Sequence, residues 1–203
     1  MLSSFFSPLR RCVKVKVPTQ GEMASAKVVA KDIDLKDLQV ELEAIEKEGK
    51  TPLVLDRSKR AATFFEFSAT CIEAKRLVVE LAMKKKTQDE TLEALRAKYV
   101  AALKHGNKLV INLDNSAPQF KTTLQGPTTF PVEVFDASRA RADDIVNAIV
   151  REEDKEKGAG VFVVRDGFSV VVISCFEAGI FEEFLTDSIP LEKMSVLAIR
   201  QDP

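Results

Sequence analysis

The chain has 203 residues, 45% hydrophobic and 30% charged, and its 30 basic side chains nearly balance 31 acidic ones for a formal charge of -1. That length holds one domain with a sizeable core plus a short arm and crowds two; the charge balance excludes a global attraction to nucleic acid or to an anionic membrane. No apolar run approaches the roughly 20 residues of a bilayer span, and Cys12, Cys71 and Cys175 are odd in number and widely spaced, as free intracellular thiols would be rather than a disulfide or zinc framework.

Residues 1–22 form a basic, aromatic arm, in which Phe5 and Phe6 precede Arg10, Arg11, Lys14 and Lys16 with no acidic residue before Glu22. The composition resembles a mitochondrial presequence, although Pro8 interrupts any long amphipathic helix. The alternative is an arm whose Phe5, Phe6, Arg10, Arg11, Lys14 and Lys16 bind a partner surface.

Residues 23–203 are expected to form one α/β domain. Leu35, Leu38, Leu42 and Ile45 recur at helical spacing up to Gly49, which predicts an amphipathic helix stopped by a glycine. Thr51 to Asp56 reads as a short apolar strand, after which Ser58 can cap a helix burying Ala61, Phe64 and Phe65. Cys71 to Met83 fits a short strand followed by a helix, its two periodicities overlapping. Thr87-Gln88-Asp89-Glu90 is a capping box, and Leu92, Leu95, Tyr99 and Leu103 line a helix that ends at Gly106, with the sole histidine, His105, in its last turn. Lys108 to Leu113 predicts a buried strand running into the turn residues Asp114 to Pro118. Pro131 to Phe135 reads as a strand, Ser138 as the start of a helix carrying Ala142, Ile145, Val146 and Ile149, and Gly158 as the end of its charged tail. Asp166-Gly167 between Val161 to Arg165 and Phe168 to Ser174 signals an antiparallel hairpin, and Ser195 to Arg200 is a last strand. Helices between most strands imply crossovers, hence a three-layer α/β fold with a mainly parallel sheet and an added hairpin at Asp166-Gly167.

A phosphate-binding loop needs glycines, so that backbone N–H groups can approach the phosphates, with a lysine and a hydroxyl for charge and magnesium. After the strand ending at Leu55 the chain offers Arg57, Ser58, Lys59 and Arg60 without a glycine: a weak anion site set against a solvated first turn. Asp114 stands where a magnesium-site acid would stand in such folds, and a turn or cap role is the simpler one. No motif links His105 to Cys71 or Cys175, so no catalytic triad is expected. The mixed-charge run Glu152 to Lys157 reads as a solvated helix end, and Phe176, Ile180, Phe181, Phe184 and Leu185 as core packing with a docking surface as the alternative.

Three stretches, Thr51 to Phe65, Tyr99 to Phe120, and Phe168 to Ser174 leading to Ser195 to Arg200, give the chain a resemblance to the large α/β subdomain of the AAA+ modules in dynein heavy chains. The likeness is to the later modules that have lost nucleotide binding. In active relatives the first turn holds ATP, a second acid-bearing strand holds magnesium, and a polar residue ending a later strand senses the γ-phosphate. By position, the resemblance puts Arg57 to Arg60, Asp114 and Ser174 in those places, and the missing glycines imply that the nucleotide is not held. The helical small subdomain of that family has no counterpart after Arg200, so ring assembly and mechanical work are not implied.

The expected function is that of a non-catalytic, protein-binding or structural component of a large assembly such as a ciliary axoneme, cytoplasmic or ciliary in location, without cofactor. A mitochondrial nucleotide-binding protein or enzyme with a cleaved presequence, using Asp56, Lys59 and Asp114, is one alternative. A subunit of an RNA assembly held by the basic arm is another.

Overall fold

In the computed structural model, which describes residues 29–156 and 160–201, six short apolar runs become strands of one sheet, every pair of them parallel. They are β1 (Lys31–Ile33), β2 (Thr51–Leu55), β3 (Ala69–Glu73), β4 (Lys108–Asp114), β5 (Ser169–Ser174) and β6 (Met194–Ile199), in the spatial order β1-β6-β2-β5-β4-β3. Strands buried on both faces read as unbroken apolar runs, and β2 is buried at all five of its positions.

Side chains alternate across the sheet. Leu53, Leu55, Ile111, Leu113, Val172 and Val196 join a core beneath α4 (Gln88–His105), α5 (Asp143–Ile149) and α6 (Phe181–Leu185), centred on Tyr99, Phe120, Phe130 and Phe135. Val54, Val110, Val171, Ile173 and Leu197 face the other way, where α1 (Leu38–Lys47) and α2 (Arg60–Phe65) cover them with Leu38, Leu42, Ile45, Ala61 and Phe65. This is the three-layer α/β fold, with α3 (Ala74–Ala82) between β3 and α4 in sequence. Among the described residues no helix is long and apolar enough to cross a membrane.

The longest helix starts on the capping box, Thr87 Oγ1 accepting from the Glu90 amide (3.2 Å) and Glu90 from the Thr87 amide (2.8 Å), and stops at Gly106 in the left-handed region (φ +67). Inside it Arg96, nearly fully buried, donates to the Ile149 carbonyl, to Asp154 and to Glu93. Asp154 therefore belongs to a buried-arginine network, inside what sequence alone presents as a solvated charge run.

Four expectations are corrected. Phe64 does not face inward: it is 47% exposed, and only Ala61 and Phe65 of α2 are buried. The hairpin at Asp166-Gly167 does not form: Val161 to Arg165 carries no strand, and all described strand pairs are parallel. β5 already has β2 on one side and β4 on the other, so a hairpin partner has no edge to take. The Asp166-Gly167 turn instead rests on the turn after α4, where a Cβ on Gly106 would meet the Asp166 carbonyl oxygen at 2.2 Å and one on Gly167 would meet the Gly106 carbonyl oxygen at 2.7 Å. Pro131 to Phe135 is not a strand either; Val132–Phe135 makes a 3-10 turn that places Val134 and Phe135 in the core. Ser138 does not open a helix, since its amide and hydroxyl both donate to Asp136 in a local turn and α5 begins at Asp143. The edge strand β1 is absent from the sequence expectations; of its three residues Lys31 and Asp32 are exposed and Ile33 is buried.

Candidate functional site

In an open parallel sheet, ligands bind outside the carboxyl ends of the strands, where the strand order switches. Here β2 lies between β5 and β6, neither its neighbour in sequence, so the chain leaves β2 towards the β3 edge and later passes back across it. The carboxyl ends of β2, β4 and β5 are tied together: the Asp56 amide donates to the Ser174 carbonyl (2.8 Å), and the Cys175 amide to the Asp114 carbonyl (2.8 Å). Asp56, Asp114 and Ser174 thus meet at one end of the sheet.

The first turn after β2 is closed from within. Asp56, fully buried, accepts the Ser58 amide (2.8 Å) and hydroxyl on Oδ1 and the Ala61 amide (2.7 Å) on Oδ2. These are the backbone donors a phosphate-binding turn presents to its ligand, and a carboxylate already occupies them. The four residues nominated by the sequence do not converge on a common point. Arg57 pairs with Glu177, Ser58 serves Asp56, and Arg60 donates to Ser58 and to the Arg200 carbonyl (3.0 Å). Lys59, in the left-handed region at φ +61, reaches across to Asp114 (3.0 Å).

Asp114 ends β4 at φ +52, its amide bonded to the Asn112 side chain (3.0 Å). Its two oxygens are divided between Lys59 (3.0 Å) and Lys75 (2.9 Å), and Lys75 also donates to Asn115 (2.6 Å). Partial burial alone would raise the Asp114 carboxyl, but hydrogen bonds from Lys75, Lys59 and Cys175 outweigh it and hold the group at about 2. The same neighbourhood pushes the Cys175 thiol up to about 11, through burial first and then its bond to Asp114, and burial also raises Cys71. Neither thiol is a thiolate nucleophile at neutral pH. His105, exposed, lies at the amino end of β4, so the length of that strand, about 20 Å, separates it from this site. Among the described residues no group of His, Cys, Asp and Glu could hold a metal ion, and both Asp114 oxygens are engaged by lysines.

Between α2 and α3 a cleft of about 600 Å³ opens onto this end of the sheet, with Ala62 and Val79 on its walls and Lys59, Lys75, Lys85 and Asp114 around it. Phe176 and Phe184 stack at 4.6 Å beside it in sequence, with Phe184 partly exposed, while Phe181 and Leu185 enter the core. The arm residues Phe5, Phe6, Arg10, Arg11, Lys14 and Lys16, with Cys12 and Gly158, lie outside the described residues. Sequence reasoning missed Lys75, which is 39 positions from Asp114, and the capping role of Asp56; the signal for the second is the Asp-x-Ser pattern directly after an apolar strand. No protein-family model, curated protein or solved structure matches the chain.

Proposed function

We propose that this chain is a non-catalytic, protein-binding component of a larger assembly, built on a P-loop-like fold whose phosphate position is filled by its own carboxylate. The observation that carries this role is the Asp56 carboxylate seated on the Ser58 and Ala61 amides. A triphosphate would have to displace a buried anion from charge-assisted hydrogen bonds. At about 1.5–3 kcal/mol each, losing two costs about 4 kcal/mol, or about a thousandfold in affinity. Lys59 and Lys75, the cations best placed to follow the phosphates, are already drawn to Asp114, which holds one on each oxygen and offsets half of their charge. Neighbouring apolar side chains left in solvent along one helix, Val78 and Val79 of α3 with Met83 at its carboxyl end, support a surface made for other proteins. The resemblance to dynein modules directs the search for the assembly to axonemal and other microtubule-based complexes.

Thermal unfolding of the full chain with Mg-ATP or Mg-GTP tests this. A ligand bound with a Kd near 10 μM adds about 2.7 kcal/mol at about 1 mM, a rise of about 5–10 °C for a chain of this size; the expected rise is none. An Asp56→Ala chain is expected to melt lower, having lost its cap, and to recover part of the difference in sulfate, which can take the vacated amides. A saturable rise for the unaltered chain with either nucleotide would sink the proposal.

A further inference from the structure

Helix α3 is apolar on two sides. Ala74, Leu77 and Leu81 pack against the main core, whereas Val78, Val79, Ala82 and Met83, at positions i, i+1, i+4 and i+5, form a second stripe in solvent. Val79 is 47% exposed and Met83 59%. A surface helix whose outer face serves only water carries charged residues there. The stripe runs straight into Lys84, Lys85 and Lys86; Lys86 pairs with Glu80, while Lys84 and Lys85 form ion pairs with no acid among the described residues. Of the stripe, Val79 alone also lines the cleft between α2 and α3, together with Lys85, and that cleft carries both signs, Lys59, Lys75 and Arg76 beside Glu73, Glu80 and Asp114; the cationic end of the stripe is Lys84 and Lys85.

We propose that this surface docks an acidic amphipathic helical segment of a partner protein, with apolar side chains against Val78, Val79 and Met83 and carboxylates at Lys84 and Lys85. The docking face rests on the protein-binding role proposed above and names the chemistry of its partner. Charge and composition select that occupant. A second copy across a two-fold axis would set Lys84 and Lys85 against themselves. The stripe holds valine, alanine and methionine without an aromatic ring, so it lacks the stacking platform that single-stranded nucleic acid requires. Grooves and faces that take up a helix read anchors at i, i+3, i+4 and i+7 of their ligand, a spacing that an apolar stripe running along α3 can meet. Methionine beside valine gives the adaptable apolar contact that such grooves use.

Selection of displayed random peptides about 16 residues long, roughly four turns of helix, on the purified full chain tests the proposal. Enriched sequences should carry apolar residues at helical spacing with flanking Asp and Glu. A synthetic representative, followed by fluorescence anisotropy, should lose at least about tenfold in affinity to a Val79→Asp/Met83→Asp chain and to a Lys84→Glu/Lys85→Glu chain, the second loss shrinking as salt rises. All four positions are exposed, so unchanged circular dichroism and melting will show that both variants fold. The proposal is overturned if enriched peptides are neutral or basic, if they bind the Val79→Asp/Met83→Asp chain equally well, or if none are enriched. It is also overturned if the chain instead binds phosphatidylserine-containing vesicles or an RNA oligonucleotide in a Met83-dependent way, or self-associates through Met83. Failure here with Mg-ATP and Mg-GTP still unbound removes this surface alone; nucleotide binding removes the role on which it rests.

Discussion

Asp114 concentrates the electrostatics of the site, because a half-buried carboxylate that accepts from Lys59 and Lys75 is stabilised only while it is charged. Its folded pKa of about 2 lies below the ordinary 3.8, so the contribution is complete above about pH 4 and disappears as pH falls towards 2. The two lysines are largely solvated, which screens the pairs and limits the effect to about 1–2 kcal/mol. Asp114→Asn is expected to cost that amount at neutral pH and to converge with the unaltered chain near pH 2; denaturant unfolding across that range will read the difference. Equal loss at every pH would mean that the side chain acts through shape, not charge. Asp114 is visible in the sequence as an acid ending an apolar strand, and so is Lys59 in the preceding crossover. Their meeting is not, because the strand order that joins the carboxyl ends of β2 and β4 across β5 is set by long-range packing.

Helix α3 ends in a Schellman turn: the Lys85 amide donates to the Glu80 carbonyl (2.9 Å) and the Lys84 amide to that of Leu81 (2.9 Å), with Lys84 at φ +53. Glycine is the ordinary residue at that position, as at Gly106 after α4, and a side chain there costs about 1 kcal/mol. Lys84→Gly, discounted for the greater freedom glycine gives the unfolded chain, is expected to stabilise by about 0.5 kcal/mol and raise the melting point by about 1–2 °C. A lower melting point would show that the lysine side chain makes a contact worth more than its backbone conformation. Elements with both periodicity and caps, α1 and α4, can be read directly from the sequence. The stretch from Pro131 to Phe135 cannot, because short apolar runs suit strand and turn alike and the aromatic cluster around Phe120 and Phe130 decides between them. Asp166-Gly167 misleads for a related reason: its turn chemistry is genuine, with Gly167 at φ +92, but the strand it feeds has both neighbours already.

Across the whole molecule, stability is expected to fall from the middle of the sheet to its edges. Amides of β2, β4 and β5, each hydrogen-bonded on both sides, should exchange slowest in hydrogen-exchange mass spectrometry; those of β1, three residues held by β6 alone, should exchange much faster. Uniform protection from β1 to β3 would contradict this gradient. The alternation of strands and helices, and hence the parallel three-layer class, follows from the sequence through the crossover rule; the order in which strands lie side by side does not, since nothing local in Met194 to Ile199 says that it separates the first two. That placement has a consequence for synthesis on the ribosome. Among the described residues, the first strand to be made has its one neighbour in the last, so Lys31 to Ile33 must wait for that pairing until Ile199 has cleared the exit tunnel, while the strands between them can assemble beforehand.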